Sequence, residues 1–248
     1  MADKNYLHTA YANSADGTDG FTTVYPNLNL LTGTSTKVVQ ATVWNMQVAN
    51  IKYDKSLGEA LCASVMINNA DHASALVQGS AKIFLETLDQ SGNVLASIFG
   101  NNVSYNASGL SWCSISINDN TASVRAFIFT NNMKQNAFYS CLKIEPGSTA
   151  TPYMPSESEV ITADWPKYVG TYVDTNLVSS TDPSKYVWDE MKYRVYLDGV
   201  PVGGSKLLSF DLENLKAGTT YNVQVNQING NVESDKSESA VFKTTLTQ

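Results

Sequence analysis

Charge is scarce in this sequence. Only 16% of its 248 residues are Asp, Glu, Lys or Arg, against roughly 25% in an ordinary soluble domain. Long solvated helices, which need Lys and Glu on their outer faces, are therefore disfavoured. Asn, Ser and Thr fill the gap and suit strands and turns. Basic residues are few: 16 Lys and Arg stand against 23 Asp and Glu, a net charge of −7. A protein that reads nucleic acid through its phosphates is thereby excluded. Histidine is limited to His8 and His72, and no HExxH, GxSxG or phosphate-loop spacing is present. A glycosidase needs two carboxylates held roughly 5–9.5 Å apart, whereas Asp and Glu here fall mostly in turns and connectors. No catalytic residue is expected, and the chain is read as a non-enzyme.

Other absences narrow the class further. No window approaches the roughly 18 apolar residues of a membrane span, and no secretory apolar stretch follows Met1-Ala2-Asp3-Lys4-Asn5,. Synthesis in a cytosol, without membrane insertion, is the expectation. Cys62, Cys113 and Cys141 form an odd set without a CxxC pair, which predicts buried reduced thiols, not staples or a zinc site. Asn102-Val103-Ser104 and Asn106-Ala107-Ser108 match the glycosylation sequon but, lacking a signal peptide, read as loop residues,. Asp16, Asp19 and Asp119 could offer oxygen ligands to Ca²⁺. Asp-Gly and Asn-Asp pairs are first of all turn formers, however, and no acidic ligand cluster stands out. No metal site and no cofactor is assigned.

What is present is a series of strands. Hydrophobic residues make up 43% of the chain, and the length suits one or two domains. Cys113, Ile115 and Ile117 alternate with Trp112, Ser114 and Ser116. Phe138, Ser140, Leu142 and Ile144 alternate with Tyr139, Cys141, Lys143 and Glu145. Val124, Ala126 and Ile128 alternate with Arg125, Phe127 and Phe129, apolar on most of both faces. Lys82–Leu88 and Asn93–Phe99 flank Asp89-Gln90-Ser91-Gly92, a hairpin with glycine where positive φ is wanted. Val38–Val48 and Glu59–Asn68 are further strands, although Glu59–Met66 could also pass for a helix. The sum is a β-sandwich of about eight strands, of jelly-roll size.

The expected organisation is all-β: an N-terminal attachment segment (1–27), a jelly-roll sandwich (28–155), a connector (156–189) and a smaller sandwich (190–248, starting as early as 168). Four of the seven prolines (Pro152, Pro155, Pro166 and Pro183) lie at or beside the connector. In the last zone, Tyr193–Leu197 leads into an Asp198-Gly199 turn. Leu215, Gly218 and Tyr221 then form a tyrosine-corner pattern. Together with Ser239–Thr245, this stretch resembles the second half of a fibronectin type III domain, and Trp188 sits where that family's core Trp would lie. The strands upstream of it are compressed.

Several motifs carry a second resemblance. They are His8-Thr9-Ala10-Tyr11-Ala12-Asn13-Ser14-Ala15-Asp16-Gly17, Asn29-Leu30-Leu31-Thr32-Gly33-Thr34, Leu142-Lys143-Ile144-Glu145-Pro146-Gly147-Ser148, Ser158–Pro166 and Thr181–Trp188. Residues 5–188 resemble tail and baseplate structural proteins of siphophages that infect lactic-acid bacteria, in which such segments bracket jelly-roll carbohydrate-binding modules. The resemblance implies a virion accessory protein of the tail or baseplate. Its partners would be other tail proteins and host cell-wall polysaccharide, bound without covalent chemistry to aid adsorption. The alternative is a purely structural decoration or extension protein that contacts virion proteins alone.

Sugar recognition needs an exposed ring to stack on a pyranose, with amides or a guanidinium for the hydroxyls. By alternation, Trp112 and Tyr139 fall on the polar face of their strands and are the candidate platforms, with Arg125 as a hydroxyl ligand or, since it shares its face with Phe127 and Phe129, a sheet-edge contact instead. The competing reading is that a second sheet covers this face and makes both rings core. Trp44, in phase with Val38, Met46 and Val48, reads as core. Trp165 reads as a pin for the connector.

Overall fold

The computed structural model describes residues 4–245 and is all-β apart from short helical turns. The chain forms two compact units: residues 28–160 make one, and residues up to 27 join residues from 161 onward in the other. In chain order the strands begin with β1 (Tyr6–Ala12) and β2 (Phe21–Thr22). The 28–160 unit then holds β3 (Val39–Gln40), β4 (Asn45–Lys52), β5 (Ala60–Asn68), β6 (Ser80–Leu88) and β7 (Val94–Phe99). It is completed by β8 (Val103–Ser104), β9 (Ser108–Ser116), β10 (Ser123–Asn131) and β11 (Phe138–Pro146). The remaining strands are β12 (Tyr168–Asp174), β13 (Val187–Glu190), β14 (Tyr193–Leu197), β15 (Val200–Ser205), β16 (Thr220–Asn229), β17 (Val232–Glu233) and β18 (Ala240–Lys243).

The 28–160 unit is the expected sandwich. One sheet runs β3-β11-β5-β9 and the other β4-β10-β6-β7, with β8 also on β6. Alternation on β5, β6, β9 and β10 turns an apolar face inward,. Leu61, Ala63, Val65 and Ile67 of β5 meet Ile83 and Leu85 of β6, Val124, Ala126 and Ile128 of β10, and Cys113 and Ile115 of β9. The hairpin at Asp89 closes as the sequence predicts: Gly92 has φ 83°, and Asp89 accepts from the backbone of Ser91 and Asn93. Residues 60–68 are strand, not helix. The single strand expected over Val38–Val48 is two, broken between Gln40 and Asn45.

Strand β11 departs from simple alternation. Its register on β5 slips between Ser140 and Lys143, so Cys141 and Leu142 together oppose one residue, and Cys141 takes φ 53°. Such a bulge reverses which residues face inward. Asn29 fills the gap it leaves. Its amide donates to the Leu142 carbonyl at 2.8 Å and accepts from the Ile144 and Leu31 amides at 3.0 Å. Gly33 N donates to Glu159, and Asn29 bridges Ser156. Two of the motifs that carried the family resemblance thus meet as a clasp where the chain enters and leaves the sandwich.

All three cysteines are free. Burial pushes the thiols of Cys62 and Cys113 up to about 12, which leaves almost no thiolate near neutrality. Iodoacetamide at mildly alkaline pH is expected to spare both in the native protein and to label both in denaturant. Rapid native labelling of either, read by mass spectrometry, would contradict their burial.

The second unit corrects the expected boundaries. Within the expected attachment segment 1–27, the described residues are not a separate piece: Tyr6–Ala12 pairs along its whole length with Tyr168–Asp174 of the supposed connector. Together with β13 and β2 these strands form a four-stranded sheet. Trp188 belongs to this sheet, not to the core of a C-terminal sandwich. It pairs with Gly170, lies over Gly17 and Gly170, and contacts Phe21 at 5.7 Å. The absent Cβ at those two glycines is what admits the ring. The C-terminal residues supply the other sheet of this unit, β15-β14-β16-β17 with β18 on β16. The tyrosine corner is present, with the Lys216 amide donating to the Tyr221 hydroxyl at 2.9 Å. Trp165 is buried on Tyr25, as a pin of this unit should be.

Candidate functional site

The three residues singled out from the sequence lie in three different environments. Trp112, on β9, is 41% exposed on the outer face of the four-stranded sheet, cross-strand from Ser64. Asn101 saturates the free edge beside it, accepting from the Trp112 amide and donating to the Leu110 carbonyl. Among the described residues no other aromatic ring packs on Trp112. Tyr139 is on the opposite side of the same sheet. It pairs with Ile67 and packs against the core, and burial raises its phenol's pKa. The bulge is the reason: Tyr139 lies before it and Lys143 after it, so the two no longer share a face. Tyr139 is therefore not an exposed platform.

Lys143 does point outward, cross-strand from Ser64, but the segment after β11 covers it. Its ammonium lies 3.1 Å from Glu145 and donates to Thr151 and to the Pro152 carbonyl. That half of the outer face is closed.

Arg125 belongs to the other sheet, whose outer face is open and lined with rings. On β10, Val124, Ala126 and Ile128 point into the core, leaving Arg125, Phe127 and Phe129 outside. Cross-strand register sets Arg125 beside Glu86, Phe127 beside Phe84, and Phe129 beside Lys82. Phe99 of the edge strand β7 pairs with Phe84. The rings then form a row. Trp44 meets Phe129 edge-on at 5.3 Å, Phe129 meets Phe99 at 5.3 Å, and Phe99 stacks on Phe84 at 4.3 Å. Trp44 is 60% and Phe99 47% exposed, while Phe84 beneath Phe99 is buried, so Trp44 and Phe99 are the rings the row offers to solvent.

Polar groups frame that row. Asn45 and Gln47 lie cross-strand from Phe129 and Phe127, and Asn50 from Arg125. Arg125 donates to Glu86 at 2.8 Å, with its guanidinium 5.6 Å from the Phe127 ring. The Lys82 ammonium lies 4.5 Å from the Phe99 ring centre and 5.7 Å from that of Phe129. Planar rings beside amides and a guanidinium are what a flat pyranose chain requires.

Trp44 was expected in the core, and the break between β3 and β4 overturns that. Residues 41–44 form a turn, held by the Thr130 amide on the Trp44 carbonyl, so Trp44 keeps no phase with Val38 or Met46. Phe99, Phe129 and Lys82 were not singled out at all. The available signal was the alternation of Phe127 and Phe129 with Arg125, opposite a complete apolar face on the same strand.

The aspartates considered for Ca²⁺ serve turns. Asp16 accepts from the amide and hydroxyl of Thr18, which lowers its pKa, and Asp19 accepts from Ser14. Asp119 lies in the other unit, 3.9 Å from Lys55.

Comparison with known proteins accords with this architecture. The family described as "Minor structural protein 5-like, C-terminal domain" matches residues 166–224. No curated protein sequence matches the chain. Among solved structures, a chain of the tripod (BppUct-A-L) from the baseplate of bacteriophage Tuc2009 is 47% identical, with a TM-score of 0.74. The match covers 100% of both chains. At that identity over its whole length, the chain belongs to the baseplate proteins of siphophages of lactic-acid bacteria, a virion component of the tail or baseplate with other tail proteins as its partners.

Proposed function

We propose that this baseplate protein binds host cell-surface saccharide non-covalently and so aids adsorption, through the outer face of β4-β10-β6-β7. The observation that carries this reading is the row of rings from Trp44 through Phe129 to Phe99, exposed at both ends. Hydrated rings on an open sheet are unfavourable unless a partner covers them, and the apolar C–H face of a pyranose is such a partner. Asn45, Gln47, Asn50 and Arg125 stand within reach of the hydroxyls. A shallow face buries little of a flexible chain, so each site is weak and adhesion draws on many copies per virion. The likeness to a chain of the Tuc2009 tripod supports a place in a comparable baseplate assembly, which would supply those copies.

The test is a multivalent fluorescent display of the whole chain on intact host cells. Trp44→Ala removes a ring contact worth about 1 kcal/mol per site, and multivalency compounds that loss until labelling disappears. Its melting temperature should barely move, because exposed substitutions usually stay within about 0.5 kcal/mol. Trp112→Ala, a lone ring on the other sheet, should still label cells. Undiminished labelling by Trp44→Ala would favour a purely structural role.

A further inference from the structure

We infer that two copies of this chain join edge to edge through β7, extending β4-β10-β6-β7 into one continuous sheet. The residues from Gln90 to Asn118, which include β7, β8 and β9, contain no Asp, Glu, Lys, Arg or Pro. Strands β7 and β9 are edges of the two sheets and lie beside each other. One wall of the sandwich thus lacks the charges and prolines that natural edges carry against edge-to-edge association. On β9 the edge is closed by Asn101, which takes the Trp112 amide and the Leu110 carbonyl. No side chain among the described residues does the same for the backbone of Ser97 or Phe99 in β7. All six residues of β7 are exposed. Even Ile98, on the inward side opposite Leu85, is 37% exposed, so the second sheet leaves it uncovered.

The ladder identifies the free groups. The Gly100 amide donates to the Ile83 carbonyl at 2.9 Å, and alternate residues of an antiparallel strand bond the same neighbour. Ile98 and Ala96 therefore bond to β6, and the N–H and C=O groups of Ser97 and Phe99 turn away from it. A two-fold axis at Ile98 sets Ser97 of each copy opposite Phe99 of the other, and each such pair exchanges two hydrogen bonds. Ile98 then meets Ile98 of the second copy in the closer, non-hydrogen-bonded position, where side chains pack best. This register is self-complementary, as a two-fold interface requires. It also keeps the aromatic rows of both copies on the same side of the joined sheet. A chain of net charge −7 meets its own copy with least repulsion along a wall that carries no charge,. One short strand buries less than the roughly 1,200 Å² of a standard interface, so the dimer is weak, with a Kd of roughly 1–100 μM.

The test is sedimentation equilibrium of the full-length chain from about 1 μM to about 500 μM, a range that brackets such an affinity. Wild type should pass from monomer to dimer. Ser97→Pro removes an N–H that β6 does not use, and proline is tolerated at such an edge position. It should keep a near-native melting temperature and weaken the dimer at least about tenfold. Ser97→Lys, which leaves the backbone intact and sets a charge at the seam, repeats the measurement if Ser97→Pro melts early. Amide exchange at Ser97 and Phe99 should slow as the wild-type concentration rises. Trp44→Ala should dimerise as wild type does, so failure of the adhesive reading leaves this inference standing. A wild-type chain that stays monomeric throughout the range overturns it and leaves the edge to a strand of another protein. A dimer that persists unweakened in the folded Ser97 variants overturns it too, by placing the interface elsewhere.

Discussion

Replacing Glu233 by alanine is expected to destabilise the unit of residues up to 27 and from 161 onward by about 3–5 kcal/mol, the usual cost of orphaning a buried charge. Arg194 is 2% exposed, and its guanidinium has two anchors besides packing. One is the Glu233 carboxylate; the other is the Tyr25 hydroxyl, which accepts from Nε at 2.9 Å. The cation also lies 4.4 Å from the Trp165 ring centre, and Trp165 in turn stacks on Tyr25. Burial raises the pKa of the Tyr25 phenol, which therefore stays neutral and cannot replace the lost carboxylate. Arg194 cannot neutralise itself by losing its proton. The uncompensated charge must then be solvated by opening the knot that joins β14, β17 and the segments around Tyr25 and Trp165. A fall in melting temperature of about 10 °C or more follows for a unit of this size. A variant that melts within a degree or two of wild type would show that the pair is dispensable. Glu233→Gln, which still accepts a hydrogen bond, should fall between the two.

The strands of the sandwich were legible because each is a half-buried surface with period two, and a sequence states that period directly. Residues 60–68, 80–88, 108–116 and 123–131 all follow from it. Pairing over long separations was not legible. Nothing local in Tyr6–Ala12 announces that its partner lies at Tyr168–Asp174, so the N-terminus read as a free segment and 168–174 as connector. The same blindness put Trp188 in the wrong sheet. Only the glycines that receive its ring, Gly17 and Gly170, hint at its place, and they are distant in sequence from it.

The candidate face was half legible for a related reason. Alternation gives two faces but does not say which residues change face at a bulge. Tyr139 and Lys143 differ by an even number and looked like neighbours, yet the doubled position at Cys141 and Leu142 sets them on opposite sides. Trp112 has no bulge between it and Cys113 or Ile115, and its exposure came out as read. Arg125 was placed correctly among Phe127 and Phe129. The rings that complete the row, Trp44 and Phe99, come from other strands, and only the pairing of β4, β10, β6 and β7 brings them together.

Glu145→Gln should destabilise the sandwich of residues 28–160 by about 3 kcal/mol near neutral pH, and the deficit should shrink as pH rises. Lys143 and Glu145 are both fully buried, 3.1 Å apart, beneath the segment that carries Thr151. Glu145 also accepts from the Thr151 amide at 2.8 Å, a bond that glutamine can keep. What glutamine cannot supply is negative charge. Burial already lowers the pKa of Lys143, and the carboxylate is what opposes that shift, so its removal lowers the pKa further. The unfolded chain keeps an ordinary lysine near 10.5. Between the depressed folded value and that unfolded value, the unfolded state binds more protons, and stability rises with pH. Cys62 and Cys113, with folded values pushed up to about 12, act in the opposite sense above their ordinary value of 9.0. Cys113 does so in wild type and variant alike and cancels in the difference, whereas the Cys62 thiol, which the Glu145 carboxylate helps to raise, is raised less in the variant and so narrows the gap in the same direction. Urea midpoints for both proteins at neutral pH and near pH 10 should therefore show a gap that narrows at the higher pH. A gap that stays constant would mean that Lys143 remains charged without its partner, and that the covered face admits water.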